Sequence, residues 1–244
     1  MANYMFTYNQ EVGHQGQSLV PHFPGGKSGV TIGPGYDLGH RNIQEIYTDL
    51  TNAGIDSETA YALLDAANKT GREANEWISG RGGIIITEEQ QRSLFENVLV
   101  PEYESRVQEQ VSAFVRHNSE FLSEKTEWAD LSTKQKEILF DYVYNTGSLS
   151  KSPEMTIAVL NEDWDTAALH YERYSGEQPL AYRNEMFFRA FLDPDTFGLE
   201  DFPEYERFDE LSVQDNLSDE IDHLYFNEAD DSSGSNSDEW YEQG

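Results

Sequence analysis

Two acidic residues and one threonine near the N-terminus have the side chains that hydrolysis of a glycosidic bond requires. Such hydrolysis needs one carboxylic acid to protonate the leaving oxygen and a second carboxylate to activate water or support the cationic transition state. Glu11 and Asp37 are the candidate pair, and Thr31 lies between them. The threonine hydroxyl can hold the attacking water. The first forty residues therefore form the candidate site of chemistry.

Short elements must bring these three side chains to one place. Glu11 lies where a first short helix is expected to end, just before Gly13. Five glycines punctuate residues 18–38 around the β-branched run 30–32, a pattern typical of a short β-hairpin. The turn of this hairpin would bring Asp37 back across a cleft from Glu11.

The rest of the chain up to residue 193 has a helical pattern. Apolar residues recur at helical spacing from Asn42 onward, Asp56 or Ser57 is a candidate helix cap, and Thr87 to Gln90 form a capping box. Pro101 is expected to kink or divide the helix that follows. The sequence predicts an α+β fold that is mainly α, with a small N-terminal hairpin and a larger helical lobe. Further helices are predicted over 71–82, 153–160, 163–174 and 180–192.

The hairpin sequence resembles a known active site. The string Ser28-Gly-Val-Thr-Ile-Gly-Pro-Gly-Tyr-Asp-Leu-Gly39 is similar to the active-site hairpin of the phage-type lysozyme superfamily, particularly its pesticin-like toxin branch. In that branch a glutamate on the first helix is the general acid, a threonine positions water, and an aspartate follows the threonine by six residues, as Glu11, Thr31 and Asp37 do here. Ordinary phage endolysins carry an aspartate or cysteine six residues before the threonine, where this chain has Gly25. The resemblance therefore favours the pesticin-like branch.

The resemblance extends over about residues 5–192 and implies a lysozyme-like fold. Thr87 to Val107 is similar to the start of the family's long helix, and Tyr142-Val-Tyr-Asn-Thr-Gly147 resembles its F-x-x-N-x-G turn. Trp164-Asp-Thr-Ala-Ala168 resembles the family's W-D-x-A-A helix, and Tyr182-Arg-Asn-Glu185 resembles its R-R-x-x-E helix.

Three further residues are candidates for binding substrate or supporting the acid. In the family an arginine of the last helix pairs with the catalytic glutamate, and Arg183 matches it, although a surface charge beside Glu185 is the alternative. Asn145 could contact a substrate amide or could be a turn residue before glycine. Tyr36 could stack on a sugar ring or pack in the core.

The resemblance implies a muramidase that cleaves the β-1,4 bond between N-acetylmuramic acid and N-acetylglucosamine in bacterial peptidoglycan. Glu11 would donate the proton, and Asp37 and Thr31 would orient water for single displacement with inversion. Direct attack by Asp37 would instead require carboxyl groups about 5–5.5 Å apart, against about 6.5–9.5 Å when water intervenes. The hairpin favours an antibacterial effector or bacteriocin-like toxin with a cognate immunity protein; a phage endolysin and a catalytically silent glycan-binding module are the alternatives.

The composition limits the partners and the cofactors. The formal net charge of -30 disfavours nucleic acid, whose phosphates bind basic clusters. There is no cysteine, and His14, His22 and His40 lack the paired spacing of a zinc site, so we expect no metal and no cofactor. No signal peptide and no membrane span are recognisable. We expect a monomer made in the cytoplasm that acts in the periplasm or on the cell wall after delivery by a secretion system or a holin.

The charge also divides the chain. Residues 1–193 are predicted to form the catalytic domain, with the active-site helix and hairpin in 1–45 and the helical lobe in 46–193. Residues 194–244 are strongly acidic, with Arg207 as the single basic residue, and are predicted to be a partly disordered extension. This extension would keep the protein soluble, dock onto a basic partner or block the cleft.

Overall fold

A computed structural model describes residues 2–12, 17–123, 127–176 and 178–193 of the chain. The chain divides into two units, Met1–Leu199 and Glu200–Gly244, and the described residues all belong to the first. The predicted acidic extension lies outside the described residues. Within the described ranges, no helix is long and apolar enough to cross a membrane.

The described part of the chain is mainly helical, with two small antiparallel sheets of two strands each. It therefore has the mainly α, α+β composition that the sequence predicts. The helices are α1 (Met5–Glu11), α2 (Ile43–Asn52), α3 (Ser57–Leu64), α4 (Arg72–Ser79), α5 (Glu88–Leu94), α6 (Val100–His117), α7 (Thr133–Thr146), α8 (Pro153–Leu160), α9 (Trp164–His170) and α10 (Ala181–Phe187). The strands are β1 (Thr31–Ile32), β2 (Tyr36–Asp37), β3 (Tyr174–Ser175) and β4 (Gln178–Pro179).

Helix α7 lies at the centre of the core. It is buried on all sides in its middle, where Ile138, Phe140 and Val143 have no exposed surface, and it contacts α1, α6 and α8. The ring of Tyr4, just before α1, stacks on Phe140 with 3.9 Å between ring centroids. The start of α1 is thereby held against the middle of α7, and both helices carry residues of the site described below.

Polar caps set where several helices begin. The side chains of Asn42, Thr87 and Ser132 each accept from the backbone N–H three residues on and complete a capping box with the Glu or Gln there. The Asp56 side chain caps α3 by accepting from Thr59 N, without a capping box. A π-helical turn, Phe95–Leu99, separates α5 from α6. Pro101 lies in the first turn of α6, directly after this π-helical turn.

The chain between α9 and α10 differs from the sequence-based expectation. A helix was expected over 163–174, but α9 ends at His170 and the β3–β4 hairpin follows, with Gly176 at φ 62 in its turn. The buried hydroxyl of Tyr142 donates to the carbonyl of Tyr171, which ties this carbonyl to α7 instead of to a helical turn. The expectation of helix is therefore wrong beyond His170.

The N-terminal hairpin has the register that a shared site requires. Thr31 pairs with Asp37, and Ile32 pairs with Tyr36. Because neighbouring residues of a strand face opposite sides, Thr31 and Asp37 lie on one face and the fully buried Ile32 and Tyr36 on the other. Gly35 closes the turn at φ 105, a conformation that favours glycine.

Candidate active site

Glu11 is the last residue of α1 and is paired with Arg183 of α10. Arg183 Nη1 donates to Glu11 Oε1 at 2.6 Å, and its Nη2 donates to Asp141 Oδ1 of α7 at the same distance. The side chain of Glu11 is 24% exposed and that of Arg183 is 11% exposed. The structure therefore shows the pairing that the resemblance predicts, and the alternative that Arg183 is a surface charge is wrong.

Asp141 and Arg173 complete this site, and neither was singled out from the sequence. Asp141 has no exposed surface, and its Oδ2 lies 2.6 Å from Arg173 Nη1. Thr7 Oγ1 donates to Asp141 Oδ1 at 3.0 Å. We call the four charged residues Glu11, Asp141, Arg173 and Arg183 the buried charge group. An available signal was the position of Asp141 within the apolar pattern of α7, because a buried acid requires a cationic partner.

The pKa values of the two carboxyl groups in this group, Glu11 and Asp141, are shifted in opposite directions. Burial raises the pKa of Glu11 above its ordinary value, and the attraction of Arg183 does not fully offset it. Burial would also raise the pKa of Asp141, but the guanidinium groups of Arg173 and Arg183 outweigh burial and lower it. Paired acids whose pKa values are pushed apart have the pattern expected for separate acid and support roles.

Asp37 is held by the backbone of its own hairpin. Its Oδ2 accepts from Gly29 N at 3.0 Å and its Oδ1 from Gly39 N at 2.8 Å. His40 Nδ1 lies 2.9 Å from Oδ2, and the Asp37 side chain is 28% exposed. The hydroxyl of Thr31 donates to the Gly29 carbonyl at 3.4 Å. Asp37 and Thr31 are thus brought together and fixed by the same loop. Oδ2 has two partners, and Oδ1, with one, keeps a further lone pair.

The three predicted catalytic residues fall into two hydrogen-bonded groups: Glu11 belongs to the buried charge group, and Thr31 and Asp37 belong to the hairpin. Tyr144, near the end of α7, lies between these groups. Its hydroxyl donates to the Pro34 carbonyl in the hairpin turn. Burial, and then the charge of Glu11, raise the pKa of Tyr144. Helix α7 thus contacts the hairpin through Tyr144 and holds Glu11 through Asp141 and Arg183.

Tyr36 does not have the position expected for sugar stacking. Its side chain is fully buried, its hydroxyl donates to Asp49 Oδ2 at 2.7 Å, and the Arg41 guanidinium lies 4.3 Å from its ring centroid. The prediction that Tyr36 binds substrate is wrong, because the strand register turns this side chain into the core. Asn145 is half-buried in the last turn of α7, before Gly147 at φ 81, and its role stays a prediction.

The described residues contain no cluster of three or more His, Cys, Asp or Glu that could hold a metal ion.

Gly29 is the residue on which the position of Asp37 depends most directly. A Cβ at Gly29 would lie 2.2 Å from Asp37 Oδ1 and 2.5 Å from Gly39 Cα. We expect Gly29→Ala to displace Asp37 and to lower the free energy of unfolding by about 1–3 kcal/mol, as overpacking does. Thermal unfolding measures this loss of stability. Gly82→Ala is the control, since its Cβ meets no atom within 4 Å; equal melting temperatures for both variants would contradict this account.

Comparison with known families gives a match over most of the chain. The family described as a domain of unknown function (DUF8812) matches residues 4–170. The match includes Glu11, Thr31 and Asp37 and ends before Arg173 and Arg183. No curated protein matches the chain. Since the match covers more than half of the sequence, the chain belongs to the DUF8812 family.

Proposed function

We propose that this protein is a peptidoglycan hydrolase, a muramidase that cleaves the β-1,4 bond between N-acetylmuramic acid and N-acetylglucosamine. The observation that carries the proposal is the Glu11 carboxyl, which combines partial exposure, a pKa raised by burial and a fixed orientation on Arg183. A general acid must hold its proton at the working pH and still reach the leaving oxygen. The raised pKa of Glu11 favours its protonated form, and its partial exposure leaves the carboxyl group accessible.

Asp141 provides the internal contrast that supports this assignment. It lies in the same group of charges, but it has no exposed surface and its pKa is lowered. An acid of that kind stays ionised and cannot reach a substrate. Asp141 therefore acts as the support for Arg183, and Glu11 as the proton donor.

In the proposed reaction, Thr31 and Asp37 hold and activate the attacking water. The paired register places their side chains on one face of the hairpin, and the backbone amides of Gly29 and Gly39 fix the Asp37 carboxylate. A carboxylate with fixed orientation and a free lone pair, here on Oδ1, can accept a proton from water that the threonine hydroxyl holds. Single displacement with inversion is the proposed course, as the resemblance implies, and the separation of the Glu11 and Asp37 carboxyl groups is the criterion that distinguishes it from direct attack by Asp37.

The hydrogen bonds to Asp37 also suit a second candidate. A module that only binds glycan needs a rigid hairpin but no general base. The Asp37 carboxylate already has three hydrogen-bond donors around it, which suits such a structural role. We propose catalysis as the first candidate because binding alone does not require the raised pKa of Glu11. The assay below separates the two candidates.

The biological setting follows the same proposal. A muramidase of the pesticin-like kind would serve as an antibacterial effector or bacteriocin-like toxin, delivered to the periplasm or cell wall and neutralised in the producer by an immunity protein. A phage endolysin released by a holin would use the same chemistry. Genes for secretion or immunity beside this gene would favour the first setting, and a holin gene the second.

Product analysis on purified peptidoglycan tests the chemistry. We expect digestion by the full chain to create new reducing ends on N-acetylmuramic acid, which borohydride reduction and mass spectrometry identify. Proton NMR of the first product should show the α-anomer, because inversion of a β-bond gives it. Reducing ends on N-acetylglucosamine would refute the muramidase assignment, and sedimentation with peptidoglycan without new reducing ends would favour the binding module.

A further inference from the structure

Arg173 is a buried cation to which the proposed mechanism gives no role. Its side chain is 2% exposed, and Nη1 lies 2.6 Å from Asp141 Oδ2. Its guanidinium lies over two rings, 4.0 Å from the centroid of Tyr142 and 4.5 Å from that of Phe187. The pair with Asp141 is close enough for strong attraction, although its angle is poor for a hydrogen bond. Burying such a charge is costly, and stability alone does not explain it.

The backbone of Arg173 is fixed to the helix that carries Arg183. Asn184, the next residue after Arg183, accepts from Arg173 N at 3.0 Å and donates to the Arg173 carbonyl at 3.1 Å. Leu180 N donates to the same carbonyl at 2.9 Å. Both arginines are thereby held to the start of α10, and Asp141 lies between their guanidinium groups.

We propose that Arg173 is a positioning residue, which through Asp141 holds Arg183 in the orientation that binds Glu11. Asp141 presents one oxygen to each arginine, so Arg173 occupies the oxygen that Arg183 would otherwise share. Arg183 is then left to place its second nitrogen on Glu11. As a statement about catalysis this inference rests on the proposed function, but the geometry can be tested without any substrate.

Charges around Glu11 decide how it would respond to substitution. It faces the cations of Arg183 and Arg173, the anion of Asp141, and, on Tyr103 and Tyr144, two neutral hydroxyls. Asp141 in turn faces Thr7 and, on its own helix, Glu137.

Loss of Arg173 and loss of the Asp141 charge should therefore act in opposite directions. Without Arg173, Asp141 draws Arg183 away from Glu11, so Glu11 binds its proton more tightly and titrates at higher pH. Without the Asp141 charge, Glu11 faces two cations and titrates at lower pH. The direct loss of each charge contributes to both shifts, because Arg173 itself lowers the pKa of Glu11 and Asp141 raises it. The positioning role adds to the shift that Arg173→Met gives.

Carbon-13 NMR titration of the Glu11 carboxyl in the full chain measures these shifts. We expect Arg173→Met to titrate at higher pH than wild type, Asp141→Asn at lower pH, and the double variant between them. Arg189→Met is the matched control, because Arg189 lies in the turn after α10 and pairs with the exposed Glu185; we expect no shift. If Arg173→Met titrates like wild type, or moves in the same direction as Asp141→Asn, the proposal is wrong.

The double variant separates the positioning role from the direct attraction between Arg173 and Glu11. Arg173 cannot act through Asp141 once Asp141 is neutral, so the difference between the double variant and Asp141→Asn contains only the direct attraction. We expect Arg173→Met to shift the wild-type midpoint further than this difference, and equal shifts would overturn the proposal. If Arg173→Met folds only in part, all four proteins are titrated in sucrose, which stabilises the folded state.

The activity arm links this geometry to catalysis. For Arg173→Met we expect kcat on peptidoglycan to fall about 10–100-fold with KM unchanged, because the acid is misplaced and not the substrate. The alkaline limb of kcat/KM should move to higher pH together with the NMR midpoint. If wild type releases no reducing ends, the proposed function fails while the NMR arm still decides the role of Arg173. A normal kcat in Arg173→Met would refute its role in catalysis.

Discussion

Glu11→Gln is expected to lower the rate of peptidoglycan hydrolysis by about a thousandfold and, at neutral pH, to make the protein more stable. The loss of rate follows because an amide cannot give a proton to the leaving oxygen, and general acid catalysis contributes about 10²–10⁴-fold. Gln keeps the size and shape of the protonated acid. The substitution therefore removes the chemistry while it preserves the packing.

The gain in stability follows from the raised pKa of Glu11. Burial, only partly offset by Arg183, raises this pKa in the folded state above its ordinary value of 4.5. The folded protein then binds the proton more tightly than the unfolded chain, so ionising Glu11 costs stability as the pH rises through this window. The cost is complete above the folded pKa and absent well below pH 4.5. Glu11→Gln should thus exceed wild type in stability at pH 7 and equal it at low pH.

Reducing-end assays and thermal unfolding at several pH values measure the two effects. Glu185→Gln is the matched control, because it makes the same chemical change on α10 in a side chain that is 57% exposed and paired with Arg189. We expect its activity and melting temperature to equal those of wild type. Lower stability of Glu11→Gln at neutral pH would mean that Glu11 serves the fold as an ion pair, and retained activity would remove it from the mechanism.

The sequence was sufficient to predict local structure and one long-range pair. The capping boxes and the glycine-rich hairpin depend on neighbouring residues, so Thr87 and the turn near Gly35 could be read directly. The pairing of Arg183 with Glu11 came from the resemblance and not from the pattern of the residues. It is present at 2.6 Å. Structure that depends on residues a few positions apart can therefore be predicted from a single sequence.

The partners of Asp141 could not be predicted in this way. Helical spacing indicates that Asp141 lies on a buried position, but it does not say which cation faces it. Arg173 lies within the segment 163–174 that was predicted to be helix, and the hydrogen bond from Tyr142 to the Tyr171 carbonyl explains why the helix ends before it. Tyr36 shows the same limit, because one step in strand register decides between the core and the cleft.

The interactions of Asp141 predict the largest loss of stability. Asp141→Ala should lower the free energy of unfolding by about 3–5 kcal/mol, because it leaves two buried guanidinium groups without their shared anion. Urea unfolding monitored by circular dichroism measures this loss. Asp65→Ala is the matched control, since Asp65 also lies between two cations, Lys69 and Arg81, but is 56% exposed. We expect the control to lose about 1 kcal/mol or less.

A second variant separates stability from function in the same group. Replacing Asp141 by Leu together with Arg173 and Arg183 by Met should recover most of the stability that Asp141→Ala loses, because apolar side chains of similar volume replace buried ion pairs at little cost. The same variant should hydrolyse peptidoglycan no better than Glu11→Gln, because nothing then orients the acid. If the triple variant is as unstable as Asp141→Ala, the charges are needed for folding. If it is stable and inactive, they are needed because Glu11 must be held in one orientation.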